Sequence, residues 1–189
     1  QYNQLKRRAL ALLKIQSIDF ISQAAKMVNT DENNALSEVS SIFTKFRSIS
    51  SKVCANVSIL AAHANSPDLL KEIEAEYLEK RGALLKEPVK IYLENLHQER
   101  DSVAMIRASA AYFLKIGSLE AELFEQCFSY RKVNEGKSVE RGAHLYSYDG
   151  LFQMLLNLCE EVYRQLRPYV LHDGNLDNLC EIALVIRDE

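Results

Sequence analysis

Residues 36–64 carry a run of mainly apolar side chains that alternates between steps of three and four positions. Its members are Leu36, Val39, Phe43, Phe46, Ser50, Val53, Val57, Leu60 and Ala64. This spacing places them on one face of an α-helix, like the a and d positions of a coiled coil. About four heptads at 1.5 Å per residue predict a helix roughly 45 Å long. Such a helix fits an elongated array of packed helices better than a sphere.

The rest of the chain shows the same helical periodicity. The 6 glycines and 3 prolines leave few of the turn residues that many short strands require. We therefore expect an all-α fold, an elongated array of about six antiparallel helices. Pro88 predicts a kink or a short break, Gly117 an interruption of the fourth helix, and Pro168 the end or a bend of the fifth. The apolar face expected for the fifth helix comprises Phe152, Leu155, Cys159, Val162 and Leu166.

The domain organisation follows from where this periodicity stops. With 189 residues, we expect a single helical region, with candidate sub-bundles at residues 1–97 and 98–189. The pattern fails at residues 129–147, where we expect a flexible loop. The chain opens on a helical pattern without an initiator methionine, so we expect a segment excised from a longer polypeptide.

Composition limits the compartment and the partners. Hydrophobic residues make up 48% of the chain and charged residues 26%, as in an ordinary folded protein. The net charge of −3 gives no reason to expect a nucleic-acid partner. No apolar run reaches the roughly 18 residues needed to cross a bilayer, so we expect a soluble chain. The cysteines are widely spaced, which predicts buried free thiols in a reducing compartment: Cys54, Cys127, Cys159 and Cys180.

No group of residues predicts catalysis or a cofactor. The sequence has neither a GxGxxG nor a GxxxxGK[ST] motif for binding phosphates. Its four histidines lie far apart, without metal-ligand spacing. The ionisable residues at 97–101 are typical of helix capping, and those at 72–81 of a solvated helix face with ion pairs. We therefore expect neither a cofactor nor enzymatic activity; a helical enzyme would need convergent polar groups in a pocket, which sequence alone does not display.

The predicted loop carries a candidate contact for anionic lipid or an acidic partner. Its cations are Arg131, Lys132, Lys137 and Arg141. Several cations held near an anionic surface each contribute about 1 kcal/mol to binding. Glu135 and Glu140 dilute this charge, so a solvated connection is the alternative interpretation.

Five segments, in order along the chain, resemble the third-subunit family of the conserved oligomeric Golgi complex, a multisubunit tether. They are QLKRRALALL (4–13), YLEKRGALL (77–85), RDSVAMIRASAAY (100–112), LCEEVYRQLRP (158–168) and LDNLCEI (176–182). The most specific feature is a helix that ends at Leu-Arg-Pro and restarts soon afterwards at Leu-x-x-Leu-Cys. Residues 171–175 are more polar than the family pattern.

The resemblance implies a central fragment of a non-catalytic subunit, built from helical bundles stacked into a rod. It also implies a peripheral protein on the cytosolic face of the Golgi that captures retrograde transport vesicles. Its expected partners are other subunits, with SNARE, Rab or coat proteins as further candidates. The apolar surface at Leu5, Ala9 and Leu12 is then expected to pack on a missing part of the chain or on another subunit. The alternative is a generic helical adaptor in another trafficking or signalling complex.

Overall fold

The computed structural model describes residues 1–29, 35–63, 68–96, 101–128 and 148–188. In these ranges the secondary structure consists of helices, which confirms the predicted all-α class and the number of elements. The helices are α1 (Tyr2–Asn29), α2 (Ala35–His63), α3 (Asp68–Leu96), α4 (Ser102–Phe128), α5 (Asp149–His172) and α6 (Leu176–Asp188). At 1.5 Å per residue, the first four are each about 40 Å long.

Each helix packs on at least one other helix of the array. α1 packs on α2 and α3, α2 also packs on α4, α3 packs on α5, and α4 packs on both α5 and α6. One hydrophobic cluster draws residues from α1 to α5, and a smaller one joins Val103 and Ile106 of α4 to Ile182 and Val185 of α6. The larger cluster therefore includes residues from both sides of position 97, and the division into two sub-bundles there stays a prediction.

The three-four seam of α2 forms the centre of the larger cluster. Phe46, Val53, Val57 and Leu60 are completely buried, and Ser50 nearly so. The seam prediction is confirmed at these positions, since a helix contacting α1, α3 and α4 buries a continuous face. Ala64 and the side chains of Leu36 and Val39 lie outside the described residues.

Three predicted interruptions do not break their helices. α3 continues through Pro88 to Leu96, α4 through Gly117, and α5 through Pro168 to His172. Proline removes one backbone donor, and at Pro88 tertiary burial of the flanking residues outweighs that local loss. Around Pro88 this burial is visible, because Pro88 itself and Val89 are buried.

Side-chain caps fix the starts of α4 and α6. Asp101 accepts hydrogen bonds from the backbone amides of Val103 and Ala104 at 3.0 and 3.3 Å. Asn175 accepts one from the amide of Asp177 at 3.0 Å. The carboxylate of Asp173 joins the two regions, because the Ser102 hydroxyl and the Asn175 amide both donate to it. These hydrogen bonds lower the pKa of Asp173.

The cysteine prediction is wrong at two positions. Cys127 is buried and Cys54 half-buried, but Cys159 and Cys180 are exposed on α5 and α6. No disulfide joins any of the four within the described residues. We expect Cys159 and Cys180 to react within seconds to minutes with a thiol reagent at pH 8, and Cys127 only after unfolding. Burial raises the pKa of the Cys127 thiol to about 12, so the reactive thiolate does not form. Timed alkylation followed by peptide mass spectrometry checks this, and rapid native labelling of Cys127 would contradict it.

Candidate interaction surfaces

A buried ion pair fixes how the surface helices are arranged. Arg81 of α3 and Glu120 of α4 are both 0% exposed. The Arg81 Nε donates to Glu120 Oε2 at 3.1 Å, and the Arg81 Nη2 donates to Oε1. The sequence interpretation placed Arg81 on a solvated face, which is wrong. Its position shows why: it follows Tyr77 by four residues and precedes Leu85 by four, so it occupies the buried face of α3.

Aromatic rings enclose this pair. The Arg81 guanidinium carbon lies 4.8 Å from the ring centre of Phe43 and 4.5 Å from that of Phe46, which is cation–π geometry. The Tyr77 ring packs edge-on against Phe46 and Phe128, with ring centres 6.1 and 5.2 Å apart. Burial raises the pKa of Tyr77 well above its ordinary value. The cluster therefore ties α2, α3 and α4 together and sets the orientation of their outer faces.

The predicted partner-packing residues lie together on the outward face of α1. Leu5 is 64% exposed and Leu12 66%, and Ala9 between them is also exposed. The opposite face of the helix enters the core through Leu10 and Ile21. The structure thus brings the three residues onto one surface, and the assignment of a partner to that surface stays a prediction.

α5 has two apolar faces. The residues of the buried face are Leu151, Met154, Leu158 and Val162. The exposed ones are Phe152, Leu156, Cys159 and Tyr163, of which Phe152 is 66% and Tyr163 63% exposed. The predicted burial of Phe152 and Cys159 is therefore wrong. The sequence does contain a signal for a second apolar face. Seven of the nine residues at 151–159 are apolar, which is more than a single helix face can hold.

Two glycines hold the inner face of α5 close to α3. A Cβ on Gly150 would lie 2.6 Å from Leu78 Cδ1, and one on Gly82 would lie 3.3 Å from Met154 Cγ. The backbones can approach this closely because neither residue carries a side chain. α5 is thereby fixed with its second apolar face turned outward.

A largely apolar groove of about 560 Å³ runs between α4, α5 and the end of α6. Arg167 is the one charged residue that lines it within the described part of the chain. The other lining residues are Ile106, Ala110, Phe113, Leu114, Cys159, Val162, Tyr163, Leu166, Val170, Leu171 and Val185. Sequence reasoning missed this groove, because it exists only where three helices meet.

A second cleft, of about 670 Å³, lies between α2, α3 and α4. It contains Tyr92 and Tyr112, stacked with ring centres 3.7 Å apart, together with Arg47 and Lys115. Burial raises the pKa of Tyr112 to about 12. Arg47 is also held by Glu122 at 2.6 Å, so much of its charge is compensated inside the protein.

The remaining sequence predictions lie partly inside and partly outside the described residues. The loop cations Arg131, Lys132, Lys137 and Arg141 lie outside the described residues. The solvated face is confirmed in part, since Glu72 pairs with Lys14 at 2.7 Å and Glu76 with Lys80 at 3.4 Å. Glu74 between them is partly buried, and desolvation raises the pKa of its carboxyl. Among the helices that the structure describes, none has the length and apolarity to cross a bilayer. The described ranges contain no group of three or more histidine, cysteine or acidic side chains arranged to hold a metal.

Comparison with known proteins assigns the chain to a family. The family described as "Conserved oligomeric Golgi complex subunit 3, C-terminal" matches residues 39–189. The whole chain is 23% identical to "Conserved oligomeric Golgi complex subunit 3" of Drosophila melanogaster, covering 21% of that protein. It is also 23% identical to the Homo sapiens protein of the same name, covering 22% of it. The chain thus spans about a fifth of the length of these relatives. No solved structure matches significantly.

These matches name the same family that the five sequence segments resemble. The family match covers more than half of the chain and includes most of α2 and all of α3 to α6. The chain therefore belongs to the conserved oligomeric Golgi complex subunit 3 family.

Proposed function

We propose that this chain is a non-catalytic helical segment of a subunit of the multisubunit Golgi tethering complex. Its role is to support assembly of that complex and, through it, retrograde transport within the Golgi. The family match over residues 39–189 carries the proposal. The agreement of whole-chain relatives from two animals supports it, and it also favours the tether over a generic adaptor.

The physical character of the chain suits a binding role. A tether needs stiff elements of defined length and exposed surfaces that fit partner helices. Helices about 40 Å long provide the length, and the Arg81–Glu120 pair within its aromatic cluster fixes their relative positions. The outer faces of α1 and α5 provide apolar surfaces that remain accessible.

The partners and the location follow from membership of such a complex. Other subunits are the first expected partners, and SNARE, Rab and coat proteins are further candidates. The protein would associate with the cytosolic face of the Golgi membrane peripherally, through the complex. The surface at Leu5, Ala9 and Leu12 is proposed as one subunit contact, because exposed apolar side chains one to two turns apart fit the apolar face of another helix.

Cells that lack the endogenous subunit test this function. Re-expression of the full-length parent should restore normal lectin binding to cell-surface glycans, because glycosylation enzymes then return to their cisternae. The Leu5→Glu/Leu12→Glu parent should restore it only in part. Both side chains are exposed, so this change leaves the fold intact. Full restoration by the double variant would remove the α1 surface from the proposal.

A parent lacking residues 1–189 tests the segment as a whole. It should fail to restore the glycans at an expression level equal to that of the full-length chain. Normal glycans in those cells would show that the segment is dispensable and would overturn the proposed function.

A further inference from the structure

We propose that an amphipathic helix from another subunit of the tethering complex binds in the groove between α4, α5 and α6 and along the exposed face of α5. That helix carries a carboxylate that faces Arg167. The inference rests on the proposed function and names one surface through which the assembly takes place.

The apolar strip has the length and spacing of a helix contact. Phe152, Leu156, Cys159 and Tyr163 follow one another by four, three and four residues along the exposed face of α5. The strip continues to Leu171, which is also exposed and lines the groove. From Phe152 to Leu171 the strip is about 28 Å long at 1.5 Å per residue. This length matches five turns of a partner helix, whose side chains would interdigitate with it.

The helices that form the groove favour a helical partner over an extended peptide. Both long walls are α-helices, whose backbone donors and acceptors are already used internally, so no sheet edge is offered to a strand. An extended peptide in this apolar groove would leave its own amides and carbonyls without partners. A helix satisfies those groups internally and presents side chains alone.

The charges along the groove set the chemistry and direction of the partner. Arg167 lines the groove, and no carboxylate does so among the described residues. An acidic side chain on the partner therefore gains a charge-assisted contact there. Glu160 lies seven residues earlier on the same edge of α5 as Arg167, just outside the groove lining. A partner with a carboxylate facing Arg167 and a cation facing Glu160 fits in one direction only.

Photo-crosslinking in the assembled complex tests whether the groove binds a helix of another subunit. p-Benzoylphenylalanine replaces Tyr163 in the full-length parent, and in a matched control it replaces Asn157, which is exposed on the same helix but outside the groove lining. The residue at 163 should crosslink to another subunit, in a peptide with apolar residues at three-four spacing and an Asp or Glu nearby. The residue at 157 should not capture that peptide.

Other crosslinking outcomes overturn the inference. These are a crosslink from position 163 to a second copy of the chain, to lipid, or to a peptide without the amphipathic pattern. Absence of a protein crosslink in a complex that still contains its other subunits also overturns it, and in that case the proposed function stands. If the parent recovers no other subunit at all, the proposed function itself fails.

Two further measurements use the same complex. Arg167→Glu should weaken recovery of the crosslinked subunit about five- to tenfold, as expected when attraction between close charges becomes repulsion. Reversing the partner's carboxylate should restore recovery. Arg164→Glu is the matched control, because Arg164 lies outside the groove and pairs with Glu161 at 2.7 Å. Equal effects of the two reversals, or no effect of Arg167→Glu, would contradict the proposed contact.

Alkylation provides the second of these measurements. In the assembled complex, Cys159 should be protected from a thiol reagent, because it lines the groove. Cys180, exposed outside the groove, should remain reactive and reports that the reagent reaches the chain. Unchanged labelling of Cys159 in the assembled complex would show that the groove is empty.

Discussion

Replacing Glu120 with alanine should lower the free energy of unfolding by about 3–5 kcal/mol. The substitution leaves the Arg81 guanidinium completely buried without its counter-charge and removes both acceptors of its hydrogen bonds. Arg81 Nη1 already lacks a partner within the described structure, so little local compensation is available. Urea unfolding of the chain, followed by circular dichroism, measures the change.

Glu122 provides a matched control two residues further along α4. Its pair with Arg47 is more than half exposed on both sides, so Glu122→Ala should cost less than about 1 kcal/mol. The double change Arg81→Met/Glu120→Leu should recover most of the stability lost in Glu120→Ala, because two apolar side chains need no counter-charge. Equal losses for Glu120→Ala and Glu122→Ala would contradict the buried pair.

Tyr77→Ala is the second large effect, with an expected loss of about 3–5 kcal/mol. Tyr77 is fully buried at the centre of the aromatic cluster, so truncation leaves a cavity between Phe46, Phe124 and Phe128. Tyr77→Phe keeps the ring and should be neutral or stabilising. The Tyr77 hydroxyl is buried without a hydrogen-bond partner among the described residues, and an unpartnered buried hydroxyl costs free energy. Thermal and urea unfolding of the two variants separate these effects.

The pH dependence of stability also separates Tyr77→Phe from the original chain. In the unfolded chain the phenol ionises near its ordinary pKa of about 10, whereas burial holds the folded pKa higher. The stability linked to this group is therefore fully present below pH 10 and is lost as pH rises above it. Tyr77→Phe should lose less stability between pH 10 and 11 than the original chain. A steeper loss in Tyr77→Phe would contradict the burial of this hydroxyl.

The fold class was predictable because its signal lies within single helices. The seam at Phe46, Val53 and Leu60 appears in the sequence as a regular spacing and reappears in the structure as a buried face. Scarce glycine and proline excluded frequent turns, and the caps at Asp101 and Asn175 depend on neighbouring residues alone. Each of these features depends only on residues that are close in the sequence.

The errors arose where a neighbouring helix decides the outcome. Arg81 and Glu120 occupy core positions because each provides the other with a counter-charge, a relation between α3 and α4 that no local pattern displays. Pro88 stays within a continuous helix because it is buried. On α5, the apolar pattern was wide enough for two faces, and contact with α3 selected the one through Leu151 and Leu158 as the buried face.

The candidate surfaces also differ in whether a single helix or several helices form them. Leu5, Ala9 and Leu12 share one helix face, so the sequence placed them together correctly on α1. The groove joins Leu114, Tyr163 and Val185 from three helices, and their proximity follows from packing rather than from spacing. A surface built from several helices therefore becomes visible only after the helices have been assembled.

Affinity purification of the full-length parent from cytosol, with and without residues 1–189, tests whether this segment holds the parent in the Golgi tethering complex. Retained proteins are identified by mass spectrometry. Other subunits of the Golgi tethering complex should be recovered with the intact parent, and their recovery should fall when the segment is removed. Unchanged recovery without the segment, or recovery of an unrelated trafficking or signalling set, would contradict it.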